Sequence, residues 1–467
     1  MKSPVQNAQL QTPQQRQQLQ REWFQQLVVG AEVDAEYDPD WLLPLREKAL
    51  QSISTLPLLN RKQEAWRYNR VDNIFQNSFD PLFDNDLEQK ICIEDIGLPA
   101  IDSYRLVFIN GRIDLSLSEL SELPAGVILT GTAEALRTIP DQLMSSFDHL
   151  HQPGEQLFTA LNTALFNDGV YLHVNQSVTL DRPVEIIYLN NNLTRSEQHV
   201  GSMIQTRNII DLESGASATV IEHFISNNKH EKYFHNNFTD INLADDSRLR
   251  HYRIQDESRL AYHLSNVQIT QHRRSRYFST CLAFGGLWSK SAVRVEFQAQ
   301  QAECDLLGLY TVGDQQLTDF HLDVQHRVPS CRSSEQFKGI LYGRGRAVFD
   351  GRILVDRQAQ HSDAALTNDN LLLVRDAEVN TKPQLEIYAD DVKCSHGTTV
   401  GRLDPEQLFY MRSRGIAEHS ARKMLCQGFA TDIIESFELQ QLRDYASEKI
   451  AHTLNSVESE MEHKNGH

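Results

Sequence analysis

From about residue 165 to about residue 400 the chain repeats itself, and no helical stripe interrupts the repeat. Short apolar runs near Ile210, Ile241, Val267, Val295 and Leu322 recur at gaps of 31, 26, 28 and 27 residues. A polar corner and a second strand-like run follow each one, as in SGASATVIEHF, DDSRLRHYRIQ, RRSRYFSTCLAF and QQAECDLLGLY. One such unit cannot bury its own apolar face. Stacked units of roughly 20–45 residues bury a continuous core, which is the logic of a solenoid. A β-sandwich also has short strands at short intervals, but the near-constant period favours a β-solenoid. The expected class is therefore mainly β.

The flanks differ from this body. Leu19, Trp23, Phe24 and Leu27 fall on one helical stripe in QQRQQLQREWFQQLVVGAEV, and PDWLLPLREKALQSISTLPL reads as a second helix with Pro44 near its start. YRLVFINGRID reads as strand, Asn-Gly turn, strand. After Gly401, Asp404 and Pro405 open a helix that Gly415 stops. A second helix carries Ala421, Met424, Leu425, Phe429, Ile433 and Phe437 on its stripe, and a third follows. The expected organisation is an N-terminal helical and mixed region (1–150), a solenoid core (151–402), a C-terminal helical domain (403–455) and a frayed polar tail (456–467). The C-terminal helices are expected to cap the open end of the solenoid, since exposed sheet edges must be managed.

Charge and composition exclude several function classes. The chain has 467 residues, with 45 basic against 63 acidic and a formal net charge of −18. That balance argues against nucleic acid as a partner. The basic clusters Arg273, Arg274, Arg276 and Arg344, Arg346 read as strand faces or turns. No apolar run approaches the ~18 residues of a membrane span, and the Gln-rich start lacks a signal-peptide core. Six irregularly spaced cysteines without a CxxC suit a reducing, cytoplasmic setting. No GxxxxGK[ST] occurs, and GRGRAVFDG reads as a turn, so any ATP in the system belongs to another subunit.

Two stretches carry candidate chemistry. In DFHLDVQHR, strand alternation puts Asp319, His321 and Asp323 on one face. Such a row could hold a metal, but it reads first as the solvated face of a half-buried strand. In DDVKCSHGTTVG, Cys394 and His396 stand two apart, so an extended backbone points both the same way. Thiolate and imidazole are good ligands for iron, zinc or an iron–sulfur cluster. They make only two of the about four ligands of a closed site, leaving the rest to other residues or another subunit. A His-activated Cys nucleophile is a second reading, without an evident orienting third residue. On residue chemistry alone the pair reads first as structural. Cys426, on the second C-terminal helix, reads as a packing residue.

The run NTKPQLEIYADDVKCSHGTTVGRLDPEQLFYMRSRGI, with ARKMLCQGFATDII after it, closely resembles the C-terminal signature of the SufB/SufD family of iron–sulfur cluster assembly proteins. QEAWRYNRVD and LVFINGRIDLSLSEL are weaker N-terminal echoes. KCSHGTTVG is more similar to the SufD branch than to SufB, which has a Glu-His-Glu type run there. The resemblance implies a right-handed parallel β-helix with helical regions at both ends. It further implies a non-catalytic scaffold that pairs with SufB, engages the SufC ATPase through its C-terminal helices, and passes clusters to apo-proteins. By the same resemblance Cys394 and His396 are metal and cluster ligands, His396 the stronger candidate, at an edge shared with SufB. ATP would act only through SufC. Participation of a reduced flavin and a homodimer in isolation stay open. The alternatives are a SufB-like sulfur-accepting subunit, a polysaccharide-acting β-helix enzyme and a Cys-His hydrolase.

Overall fold

The structure, a computed structural model, describes residues 12–30, 38–69, 72–81, 98–148, 157–191 and 201–465. Its body is a parallel β-solenoid built from two ten-stranded sheets, with successive strands alternating between them. Pairing is parallel throughout the body. The exceptions are antiparallel pairs at its N-terminal end, where Tyr104–Ile109 pairs with Arg112–Ile113 and Val127–Gly131 pairs with Val170–Val174. The first of these is the Asn-Gly hairpin expected from the sequence, with Asn110 at φ 51° and Gly111 at φ 84°.

Register explains the repeat. In the first sheet, Ile210, Ile241, Ile269, Val295, Val324, Ile353 and Leu385 stack in one inward column. Val267 and Leu322, which mark the period in the sequence, belong to the neighbouring inward column, two residues off. The side-chain period of two keeps both on the same face. Aromatic rings continue the interior stack, with Tyr310–Phe320, Phe320–Phe337 and Phe337–Phe349 centroids 5.3, 5.2 and 5.3 Å apart. Gly308 makes room for them: a Cβ there would lie 2.2 Å from the Phe337 ring.

The corners leading from the first sheet to the second have a backbone signature. Ser177, Gly215, Asp246, Arg274, Gln301, Ser330 and His361 all have φ between 56° and 73°. Each costs conformational energy when it is not glycine. The return is a corner N–H aimed at the next coil, as from Asp246 to the Arg273 carbonyl (2.8 Å) and from His361 to the Asp391 carbonyl (2.6 Å). The basic clusters belong to these corners and their flanks. Arg274 pairs with Asp246 at 2.6 Å and Arg273 with Asp245 at 3.1 Å. The GRGR stretch is likewise a corner, with Gly343 at φ 55° and the Arg344 N–H donating to Asp314 at 2.5 Å.

Helices cover the outer faces of both sheets. Pro13–Gly30 and Leu157–Leu165 bring Trp23, Phe24 and Phe158 against Phe234 and Trp288 on the first sheet. Glu418–Glu435 and Gln440–Asn465 lay Cys426, Ala430, Ile433 and Ile450 on Tyr252, Ile254, Leu309 and Ile340 of the second. The C-terminal helices thus flank the solenoid and do not cap its open end, contrary to the expectation from edge protection. The apolar outward row of the second sheet attracts them: fully burying one such aliphatic side chain is worth about 1.5–3 kcal/mol. The terminal strand KCSHGTTVG offers no comparable apolar row. The last helix also runs to Asn465, through most of the stretch expected to be a frayed tail.

Candidate functional site

The last coil consists of Glu378–Ile387 in the first sheet and Lys393–Gly401 in the second. Each is the terminal strand of its sheet, so among the described residues one edge of each is unpaired. Cys394 and His396 lie on the second. Their register partners are Ala364 and Leu366, both inward and buried. The two side chains therefore share the inward face, where the solenoid stops. Cys394 is half-buried against the core, and His396 is exposed. A Cβ added at the adjacent Gly397 would have nothing within 4 Å. Around this end Ile387, Tyr388 and Val400 are exposed by 40, 59 and 50%. Burial, with a smaller contribution from Asp363, pushes the Cys394 thiol above its usual pKa. Among the described residues, no third His, Cys, Asp or Glu completes a metal-sized group with these two.

The Asp319–His321–Asp323 row is only partly a solvated face. Asp319 is fully buried because the segment around Glu64–Trp66 covers it. Its carboxylate accepts from Lys290 Nζ at 2.7 Å and Asn69 Nδ2 at 2.5 Å, and lies 2.9 Å from His321 Nε2. Asp319 is an anchor for the N-terminal arm, whereas Asp323 pairs with Arg352 at 3.0 Å on the sheet face. Cys426 is a packing residue: it is buried among Ala430 and Ile433, and burial pushes its thiol up to about 12. Cys281, Cys304 and Cys331 also form no disulfide, and Cys92 lies outside the described residues.

Sequence reasoning missed the polar interior. Glu222 accepts from His251 Nε2 at 2.8 Å and from Asn208 at 3.0 Å, and lies 3.3 Å from Arg253, all within the solenoid. His235, Glu257 and His263 form a second buried group. The signal was there: EHF, FHNNF, RHYRIQ and YHLSN put polar residues at inward positions of alternating strands.

Comparison with known proteins agrees with this architecture. Residues 193–429 match the SUF system FeS cluster assembly, SufBD core domain, and residues 30–186 match the SufBD protein N-terminal region. The chain belongs to the SufBD family of iron–sulfur cluster assembly proteins. It is SufD-like: the "Iron-sulfur cluster assembly protein SufD" of Escherichia coli is 30% identical over 88% of this chain and 93% of its own length. The SufBD family protein slr0076 of Synechocystis is 28% identical over 86 and 89% of the two chains. "Protein ABCI7, chloroplastic" of Arabidopsis thaliana is 26% identical over 90 and 88%.

Proposed function

We propose that this chain is a non-catalytic scaffold subunit that meets a SufB-type partner at the open end of its solenoid. There Cys394 and His396 supply part of the ligand set for iron and for a transient iron–sulfur cluster. The observation that carries this reading is an unpaired terminal strand bearing a thiol and an imidazole on one face, beside exposed apolar residues. Unpaired edges are templates for another chain's strand. A two-ligand half-site holds metal loosely until the partner completes it, which suits a cluster that must be handed on. His396 is the principal ligand. The raised Cys394 thiol stays protonated at neutral pH until iron displaces the proton. The same property speaks against a hydrolytic nucleophile or a first sulfur acceptor at Cys394.

The C-terminal helices supply the second contact, with a SufC-type ATPase that performs all ATP hydrolysis. Phe409, Tyr410 and Met424 are exposed there by 72, 58 and 52%. No helix among the described residues is long and apolar enough to cross a membrane, and a reducing cytoplasm fits five cysteines without a disulfide. The test is His396→Ala, co-purified with the SufB-type partner and reconstituted anaerobically with iron and sulfide. The complex is expected to persist while cluster absorbance is lost. Normal cluster yield would remove His396 from the ligand set.

A further inference from the structure

Inside the solenoid, far along the chain from Cys394, two histidines stack in adjacent coils. His235 on Tyr233–Leu243 and His263 on Tyr262–Gln271 are direct register partners, and both point inward. Glu257 reaches them from the corner just before the second strand. The ligand atoms of the three lie within 4.8 Å of one another, and all three residues are buried. A first-row divalent cation holds N and O ligands at about 2.0–2.2 Å, so the ligands of a tetrahedral site stand about 3.4 Å apart. The widest separation needs to close by up to about 1.4 Å, which a shift of side-chain rotamers supplies.

The surrounding hydrogen bonds leave a lone pair on His235 for such an ion, while Glu257 Oε2 accepts from Gln255 Nε2 at 2.9 Å. The Thr206 hydroxyl donates to Asn237 Oδ1 at 2.8 Å. It is therefore left to accept from His235 Nε2, 2.9 Å away. That fixes the Nε2–H tautomer of His235 and leaves Nδ1 with a bare lone pair. Nδ1 is buried and has no hydrogen-bond partner. His263 Nδ1 is also buried without a hydrogen bond, although Glu257 Oε2 is 2.8 Å from it. A second bond to a ligating imidazole is what orients it in metal sites.

We propose that His235, Glu257 and His263 form a buried site for one divalent first-row metal ion of the zinc and iron(II) class. Two imidazoles and one carboxylate favour that class over calcium or magnesium. The cation replaces the proton between His263 and Glu257 and ties three consecutive segments of the solenoid together. It is independent of the edge pair Cys394 and His396. Being fully enclosed, it loads as the chain folds and exchanges slowly.

The probe is cobalt(II). The full-length chain carrying Cys394→Ala and His396→Ala is expressed in cobalt-supplemented medium and dialysed against a chelator. The expected result is about one retained equivalent, with visible d–d absorption and an X-ray absorption fine structure of nitrogen and oxygen neighbours including two imidazoles. His263→Gln and Glu257→Gln each reduce retention at least tenfold while the circular dichroism is unchanged. A folded chain that retains no cobalt would overturn the site, as would undiminished retention in folded His263→Gln. If the variants do not fold, the parent chain's spectrum decides, and a sulfur-dominated or imidazole-free shell rejects the assignment.

Discussion

Replacing Lys290 by Met isolates what anchors the N-terminal arm to the solenoid. Lys290 and Asp319 are 4 and 0% exposed and 2.7 Å apart. Lys290 Nζ also donates to the Ala65 carbonyl at 3.2 Å and stands 5.0 Å from the Trp66 ring centroid. Trp66 in turn stacks with Trp288 at 6.4 Å. Burial lowers the Lys290 pKa. Burial also opposes the Asp319 charge, but His321 and Lys290 outweigh it and hold that carboxyl well below the usual range. Lys290→Met leaves an ionised Asp319 without the buried ammonium, with His321 as its remaining ionisable neighbour at 2.9 Å. Breaking such a pair from one side costs about 3–5 kcal/mol, whereas exchanging both partners for apolar residues is often neutral. Urea unfolding followed by tryptophan fluorescence is therefore expected to lose that much for Lys290→Met and about 1 kcal/mol or less for Lys290→Met with Asp319→Leu. The pH dependence has a defined sign. A depressed carboxyl stabilises above its unfolded pKa of about 3.9, and the benefit fades as pH falls toward the folded value. The single-variant deficit is thus largest near neutrality and shrinks below about pH 4. A single variant within about 1 kcal/mol of wild type at neutral pH would refute the reasoning. Equal losses in the single and double variants would instead mean that packing, and not the uncompensated charge, holds the arm.

Other outcomes follow from the corners and the buried groups. At Gln301, with φ 66°, Gln301→Ile is expected to lower stability by about 1–2 kcal/mol and Gln301→Gly to be near neutral, judged from urea midpoints. Iodoacetamide at about pH 8 is expected to alkylate Cys394 before Cys304, Cys331 and Cys426, because those three are buried; peptide mapping that finds Cys426 modified first would contradict the packing described. Glu335 has both carboxyl oxygens buried and unpartnered, and burial, then Asp323, raises its pKa well above normal. A raised carboxyl subtracts stability above the unfolded pKa of about 4.3, so Glu335→Gln is expected to raise the thermal midpoint at neutral pH and not at pH 4. A pH-independent gain would rule out a titrating origin.

The period was legible because each coil spends its apolar residues at fixed intervals and turns at polar corners. Even where Val267 and Leu322 sit two positions from the Ile241 and Val295 column, they stay on the inward face. The shared orientation of Cys394 and His396 was legible for the same reason. What local pattern could not supply was what covers each face. Asp319 reads as solvated until Asn69, 250 residues earlier, closes over it. The C-terminal helices read as a cap, yet the outward row of Tyr252, Ile254, Leu309 and Ile340 draws them to the side. His235 and His263 break the alternation in their own strands, but their meeting depends on cross-coil register, which no single strand encodes.

The central claim is that the solenoid ends in half of a ligand set. Its most direct measurement is pulsed electron paramagnetic resonance on the reduced cluster, assembled anaerobically from this chain and a SufB-type partner. With ¹⁵N-histidine in this chain only, a directly coordinated ¹⁵N hyperfine coupling is expected and is lost in His396→Ala. A cluster that forms in the complex with no nitrogen coupling from this chain would contradict the account.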